Sequence, residues 1–360
     1  MTKGSLTFAA VPLALLVLGA TAAAQFHSRT DLVELAAVVL DKNGAPVSNL
    51  GREDFELLED GHRVPISTFV AIDADHPATL NDGRFLALLV EPHSPTARKL
   101  ARQLIDRMGA RDVVAVLGMT GSKATTTDSR EVALKQLDDL TPPAAARRPI
   151  AKTAIGNLPQ DNCRECGVGG VSSGWLGYPG ATRLAGNSGM VLGTLGIPSS
   201  GSASDPGVAG TSSYAITALG QMQSLADQLT QVPHRHKSVI YIGPGSKLNL
   251  TERSVKDGDS GRWFDVVKHA SRANVSVSVV SIDGLTGKSY DGARMLADET
   301  GGDAIVDTNV YDQGLESLWQ RAGQYYLLGY TPGSDKKRRH AIEVRVEGPN
   351  VEVHALKARD

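Results

Sequence analysis

A chain of 360 residues, 41% apolar and 21% charged, carries enough apolar material for a sizeable core and is long enough for about two domains. Its formal net charge of −2 gives no electrostatic reason to expect nucleic acid as a partner, since such binding rests on neutralising phosphates with lysine and arginine. Residues 1–24 read as a signal peptide. Lys3 supplies the positive end, Phe8 to Leu18 an apolar stretch too short to span a bilayer, and Ala22-Ala23-Ala24 the small-residue site before Gln25. Cleavage after Ala24 predicts a secreted or periplasmic protein. No cysteine stands at that site to accept a lipid, and no later run is long and apolar enough to hold the mature chain in a membrane.

Residues 25–78 form an amino-terminal β segment by pattern. Leu32 to Leu40 is apolar and β-branched, Lys42-Asn43-Gly44 signals a turn, Phe55 to Glu59 alternates, and Asp60-Gly61 cues a tight hairpin before Val64 to Phe69. These strands are too few to bury both of their faces alone, so they need a partner. Residues 79–323 alternate strands and helices. The expected strands are Phe85–Val90, Val113–Met119, Ser238–Gly243, Val275–Ile282 and Ala304–Val306. Helical spacing appears after Ser94 up to Met108, then at Ser129–Leu140, Ser212–Leu229, Trp263–Ala273 and Ala293–Thr300. That alternation predicts a Rossmann-like, doubly wound, mostly parallel sheet. Residues 324–360 return to β pattern at Gln324–Tyr330, Ala341–Val346 and Val351–Leu356. They are expected to pair with the amino-terminal strands in one β-sandwich flanking the α/β core. The basic run 336–340 falls between two of these strands and reads as a solvated hairpin tip.

In an open parallel sheet ligands sit beyond the carboxyl ends of the strands, so the turn Glu91-Pro92-His93-Ser94-Pro95 is the first place to look for chemistry. It has neither a phosphate-cradling glycine pattern nor a nucleophile elbow. Ser94 is placed to cap the following helix and Pro95 to open it. The Gly/Ser-rich stretch 141–210 reads as a flexible surface insertion. Within it Cys163 and Cys166 suit a local disulfide staple, with half a zinc site or redox exchange as the other uses of that spacing. Gly170-Val171-Ser172-Ser173-Gly174 repeats the spacing of a hydrolase elbow, but without the preceding strand that the chemistry requires. His234 and His236 read as a polar loop entering a strand, and Asp283-Gly284 as a turn at the ligand edge.

Six separate blocks resemble the acidobacterial-type VWFA-related domain proteins, built around a von Willebrand factor type A domain. They are Val38–Leu50, Glu53–Gly61, Lys237–Ile242, Ala273–Val275, Leu296–Gly302 and Gln324–Tyr330. The resemblance implies a type A core that binds protein ligands, often through a metal held by Asp-x-Ser-x-Ser in the first turn, a threonine before a later helix, and a later aspartate. This chain offers Glu91, His93 and Pro95 there, or Glu91, Ser94 and Thr96 in a shifted register. Thr211 stands at the threonine position, and Gly243-Pro244-Gly245-Ser246 follows the later strand without a carboxylate. One carboxylate and scattered hydroxyls are a poor magnesium site, so no metal or other cofactor is expected. The resulting expectation is an exported, non-enzymatic, adhesion-type module with a degenerate metal site. It would engage a protein or cell-surface ligand through Glu91, His93, Ser94, Thr96 and Thr211. The alternatives are a secreted hydrolase using the 141–210 insertion and a structural component of the bacterial envelope.

Overall fold

The computed structural model describes residues 32–79, 82–119, 122–140, 194–196, 211–232, 235–249, 260–333, 339–348 and 350–359. The expected signal peptide, Cys163, Cys166, Ser172 and His234 lie outside the described residues. The first β region comprises β1 (Val33–Leu40), β2 (Phe55–Glu59), β3 (His62–Val64) and β4 (Ile66–Asp73). The α/β region follows with β5 (Phe85–Val90), α1 (Pro95–Asp106), β6 (Val113–Gly118), β7 (Lys123–Thr125), α2 (Arg130–Asp139), β8 (Thr194–Gly196) and α3 (Thr211–Leu229). It continues through β9 (Lys237–Gly243), α4 (Ser260–Ala273), β10 (Val275–Ser281), α5 (Asp291–Thr300), β11 (Ala304–Ile305) and α6 (Asp312–Gly323). The chain then returns to strand with β12 (Gln324–Tyr330), β13 (His340–Val346), β14 (Glu352–Ala355) and β15 (Ala358–Arg359).

Five strands form a parallel sheet in the order β11-β10-β9-β5-β6. Its interior strand β5 is buried at every residue because helices cover both faces, which is why it reads as an unbroken apolar run. Side chains alternate across it. Phe85, Ala87 and Leu89 enter one core with α3, α4 and α5, while Leu86, Leu88 and Val90 enter the other with α1, α2 and α6. The sheet is therefore doubly wound, as its alternating pattern predicts. Because β6 lies on one side of β5 and β9 on the other, the chain reverses its winding direction between β5 and β9. The carboxyl ends of those two strands mark the topological switch point, where open α/β sheets place ligands.

The flanking unit is a β-sandwich of two four-stranded antiparallel sheets, β14-β1-β12-β4 and β15-β13-β2-β3, that share one apolar core. Phe55, Phe69 and Tyr326 meet inside it, and the Tyr326 hydroxyl donates to Val47 O at 2.9 Å. Strand β1 is buried on both faces. Leu35, Ala37 and Val39 face the opposite sheet, while Ala36, Val38 and Leu40 belong to a second cluster with Ile72 and Tyr325. Ala36 N also donates to the side chain of Asn274, at the amino end of β10, which ties the sandwich to the parallel sheet. A second tie is Arg84, just before β5. Its guanidinium donates to Trp319 O at 2.9 Å and to Asp75 at 2.8 Å, and stacks over the Trp319 ring. A Cβ at Gly323 would lie 2.5 Å from that guanidinium, so a side chain at the end of α6 would displace Arg84.

Four details differ from the sequence reading. Thr194–Gly196, inside the stretch 141–210 expected to be a flexible surface insertion, is strand β8, paired antiparallel with β7 and burying Leu195 in a core of the parallel sheet. Val64–Phe69 is not one strand. Pro65, which has no N–H to donate, separates β3 from β4, and the two belong to opposite sheets. Nor is the basic run a hairpin tip, because β12 and β13 also lie in opposite sheets and their connection crosses between them. Of that run, His340 is buried and bonds Asp60 at 2.8 Å, and residues 336–338 lie outside the described set. Helix α6 went unrecognised although it packs Leu315, Leu318, Trp319 and Ala322 on one face. Among the described residues no helix is long and apolar enough to cross a membrane.

Candidate functional site at the switch point

Glu91 ends β5 and is held to β9 by its backbone, Glu91 N donating to Ile242 O at 2.9 Å. Its side chain turns toward α3, where the Tyr214 hydroxyl donates to Glu91 Oε2 at 2.7 Å. Tyr241, from β9, donates in turn to the Tyr214 oxygen at 3.2 Å, so a chain of two phenols ends on the carboxylate. Burial raises the proton affinity of both phenols above the usual tyrosine range. For Tyr214 the bond from Tyr241 opposes that rise and the bond to Glu91 adds to it. Both therefore remain protonated donors at neutral pH. Lys247 Nζ lies over the Tyr214 ring, 4.6 Å from its centroid.

The turn after β9 is shaped by this network. A Cβ on Gly243 would come 2.5 Å from the Tyr241 hydroxyl, and one on Gly245 would come 2.8 Å from Ser281 Cβ. Beyond β10, Asp283 accepts from Ser246 N at 2.9 Å and from Ser281 Oγ at 3.0 Å, fastening the two turns together. Lys288 Nζ lies 3.7 Å from its other oxygen. Gly284 takes φ +70°, as the Asp-Gly turn requires. Leu285 N donates to Asn309 Oδ1 at 3.4 Å and so brings the loop after β10 beside the loop after β11. Those loops carry the two most exposed large apolar side chains among the described residues, Leu285 (66% exposed) and Val310 (75%).

The residues expected to form a site are only partly brought together. Glu91 lies at the switch point but is engaged by Tyr214. Ser94 accepts from Ala97 N at 3.2 Å, so its hydroxyl caps α1. His93 is exposed on the same turn, and Thr96 is exposed in the first turn of α1. Thr211 opens α3, with its side chain outside the described set. A hard cation wants several oxygen donors converging on one point. Here one oxygen of Glu91, the Ser94 hydroxyl and Asp283 each have a protein donor instead, and no three His, Cys, Asp or Glu side chains among the described residues cluster as ligands. The described donors do not fit a magnesium site.

No family model matches the chain, and no curated protein matches it. One solved structure it resembles is "von Willebrand factor type A from Catenulispora acidiphila", at 8% identity, covering 92% of this chain and 74% of that one, with a TM-score of 0.35. At that score the likeness establishes no correspondence of site residues.

Sequence reasoning passed over Tyr214, Tyr241 and Lys247. Tyr241 sits inside an apolar strand and Tyr214 inside a helix, where aromatic residues normally signal core. The one local hint was Gly243 two residues after Tyr241, a glycine at the end of a buried strand.

Proposed function

We propose that this chain is an exported, non-enzymatic protein-interaction module of the VWFA-related kind, meeting its partner through the carboxyl edge of the parallel sheet. The observation that carries the reading is the exposure of Leu285 and Val310 on adjoining loops at that edge, with Lys288 and Asp283 in the same loop as Leu285. Apolar side chains left in water beside a charged rim mark recognition surfaces. The partner is a protein or cell-surface component, bound without a metal bridge, a reading supported by the hydrogen bonds that Glu91, Ser94 and Asp283 already accept within the protein. The test is capture of partners from envelope and medium by the wild-type bait and by a Leu285→Asp/Val310→Asp bait. The reading requires the double variant to lose the captured species while its stability stays within about 0.5 kcal/mol of wild type, as exposed positions do. Undiminished capture by the variant refutes it.

A second reading, assembly as a structural envelope component, is favoured by β4. This eight-residue strand ends its sheet and pairs only with β12 among the described residues, and it leaves Val70 49% exposed.

A further inference from the structure

A cleft of about 390 Å³ opens at the amino-terminal ends of β9 and β10, the opposite end of the parallel sheet from Glu91. Four cations line it, Arg235, Lys237, Arg272 and Arg359, against the one lining carboxylate Glu34. Arg359 is answered by Glu59 at 2.6 Å, from the second sheet of the sandwich. Arg235 and Lys237 differ. They are only 4% and 3% exposed, and no ion pair joins either to a carboxylate among the described residues.

Their hydrogen bonds leave donors over. Lys237 Nζ gives one hydrogen to Val232 O at 2.8 Å, and an ammonium has three. Arg235 donates through Nη2 to Gly83 O, while its Nε is buried without an acceptor. Burial pulls the Lys237 ammonium down to about 8. Glu34 offsets that fall only in part, and neighbouring Arg235 deepens it. Burial likewise lowers the pKa of Arg235, and Tyr325, Asp112 and Asp82 offset that only in part, so two like charges taken out of water side by side stay costly unless an anion joins them. The cleft walls also include Leu32, Val33 and Val232, which suit an apolar body better than a bare hydrated ion.

We propose that this cleft binds a small organic anion, its carboxylate or phosphate head held by Lys237 and Arg235 and its short apolar body against Leu32, Val33 and Val232. The head needs oxygen acceptors for a lysine point charge and an arginine fork, which either oxyanion provides. The site is independent of the protein-interaction reading, because it lies at the other end of the sheet.

The test is titration of the full chain with hexanoate, hexyl phosphate and hexanol at constant ionic strength, followed by calorimetry and by melting temperature. At least one of the two anions should bind and raise the melting temperature while hexanol does neither, and the stronger of the two identifies the head group. Lys237→Met should weaken that anion at least ~10-fold, with Lys237→Arg retaining most of the binding. In the wild type, the Lys237 side-chain resonance should titrate at higher pH with the anion bound, a readout that does not depend on any variant folding. Equal responses to hexanol and the anions, full binding by Lys237→Met, an unmoved Lys237 titration, or no response at ~5 mM of either anion each overturns the proposal.

Discussion

Acidification should destabilise this protein through one histidine, His236. Its ring is buried between β9 and the sandwich, 5.1 Å from the Tyr325 ring and with Nε2 3.1 Å from Ser276 Oγ. Burial, reinforced by the adjacent Lys237 charge and opposed by hydrogen bonding to Asn274, pushes its pKa down to about 3 from 6.5. The unfolded chain therefore binds a proton below pH 6.5 that the folded chain refuses. The neutral ring's contribution is complete above pH 6.5 and drains away as pH falls toward 3, at roughly 1.4 kcal/mol per unit. Between pH 7.5 and 5.0 the loss attributable to His236 is about 2 kcal/mol, a large fraction of the stability of an ordinary domain. The assay is urea denaturation of wild type and His236→Gln at both pH values. Taking the difference of differences removes the carboxylates and surface histidines common to both proteins. The variant should be less stable at pH 7.5 yet lose about 2 kcal/mol less on acidification. Parallel losses in the two proteins, or a folded-state titration of His236 near 6.5, would refute the reasoning.

Ser94→Ala should cost about 1 kcal/mol by removing the cap of α1, read by denaturation. Gly243→Ala should cost more than about 1 kcal/mol and perturb tyrosine absorbance, because the added methyl drives Tyr241 from Tyr214. Leu328→Ala, in the sandwich core, should cost about 2–5 kcal/mol and leave residues 32–73 open to protease before the parallel sheet unfolds. Val70→Lys should leave the stability within about 0.5 kcal/mol of wild type while abolishing any concentration-dependent assembly through β4, measured by sedimentation.

What the sequence disclosed follows from which side chains are buried on one face and which on two. Strands β5, β6, β9 and β10 are covered on both sides and stand out as apolar runs, and β13 alternates because its outer face meets water. The division of β3 from β4 was written in Pro65, and β3 pairs with its neighbour β2, but the sheet β4 would join depended on β12, more than 250 residues away. The same distance hides the site. Glu91 was legible from its place after the first strand, whereas the phenol that engages it is 123 residues further on, beyond the insertion. His236 looked like a loop residue beside His234, yet its burial is imposed by β10 and by Tyr325, neither of which is local to it. Charge sums gave no sign of the cleft below the sheet either, since Arg235 and Lys237 vanish into a net charge near neutrality.

The Glu91 turn shows how a carboxylate at a ligand-binding position can be held by the protein alone. A glutamate there reaches α3, and Tyr214 supplies the proton donor while Tyr241 supplies the next link. If that hydrogen-bond chain is what holds the turn, the two ends must be energetically coupled. Tyr214→Phe deletes the donor and leaves Glu91 and Tyr241 each short of a partner, at a cost of about 1–3 kcal/mol. Glu91→Gln keeps an acceptor but removes the charge. In a double-mutant cycle the pair should show a coupling of about 1 kcal/mol, within the range measured for contacting residues. Additivity would mean that Tyr214 merely packs against the turn, and Glu91 would then be available to a cation or a partner's lysine. Magnesium separates those cases. It should leave the wild-type melting temperature unchanged and give at most a small rise in Tyr214→Phe, whose carboxylate is released, whereas a wild-type rise larger than the variant's would show that the phenol helps to build a cation site.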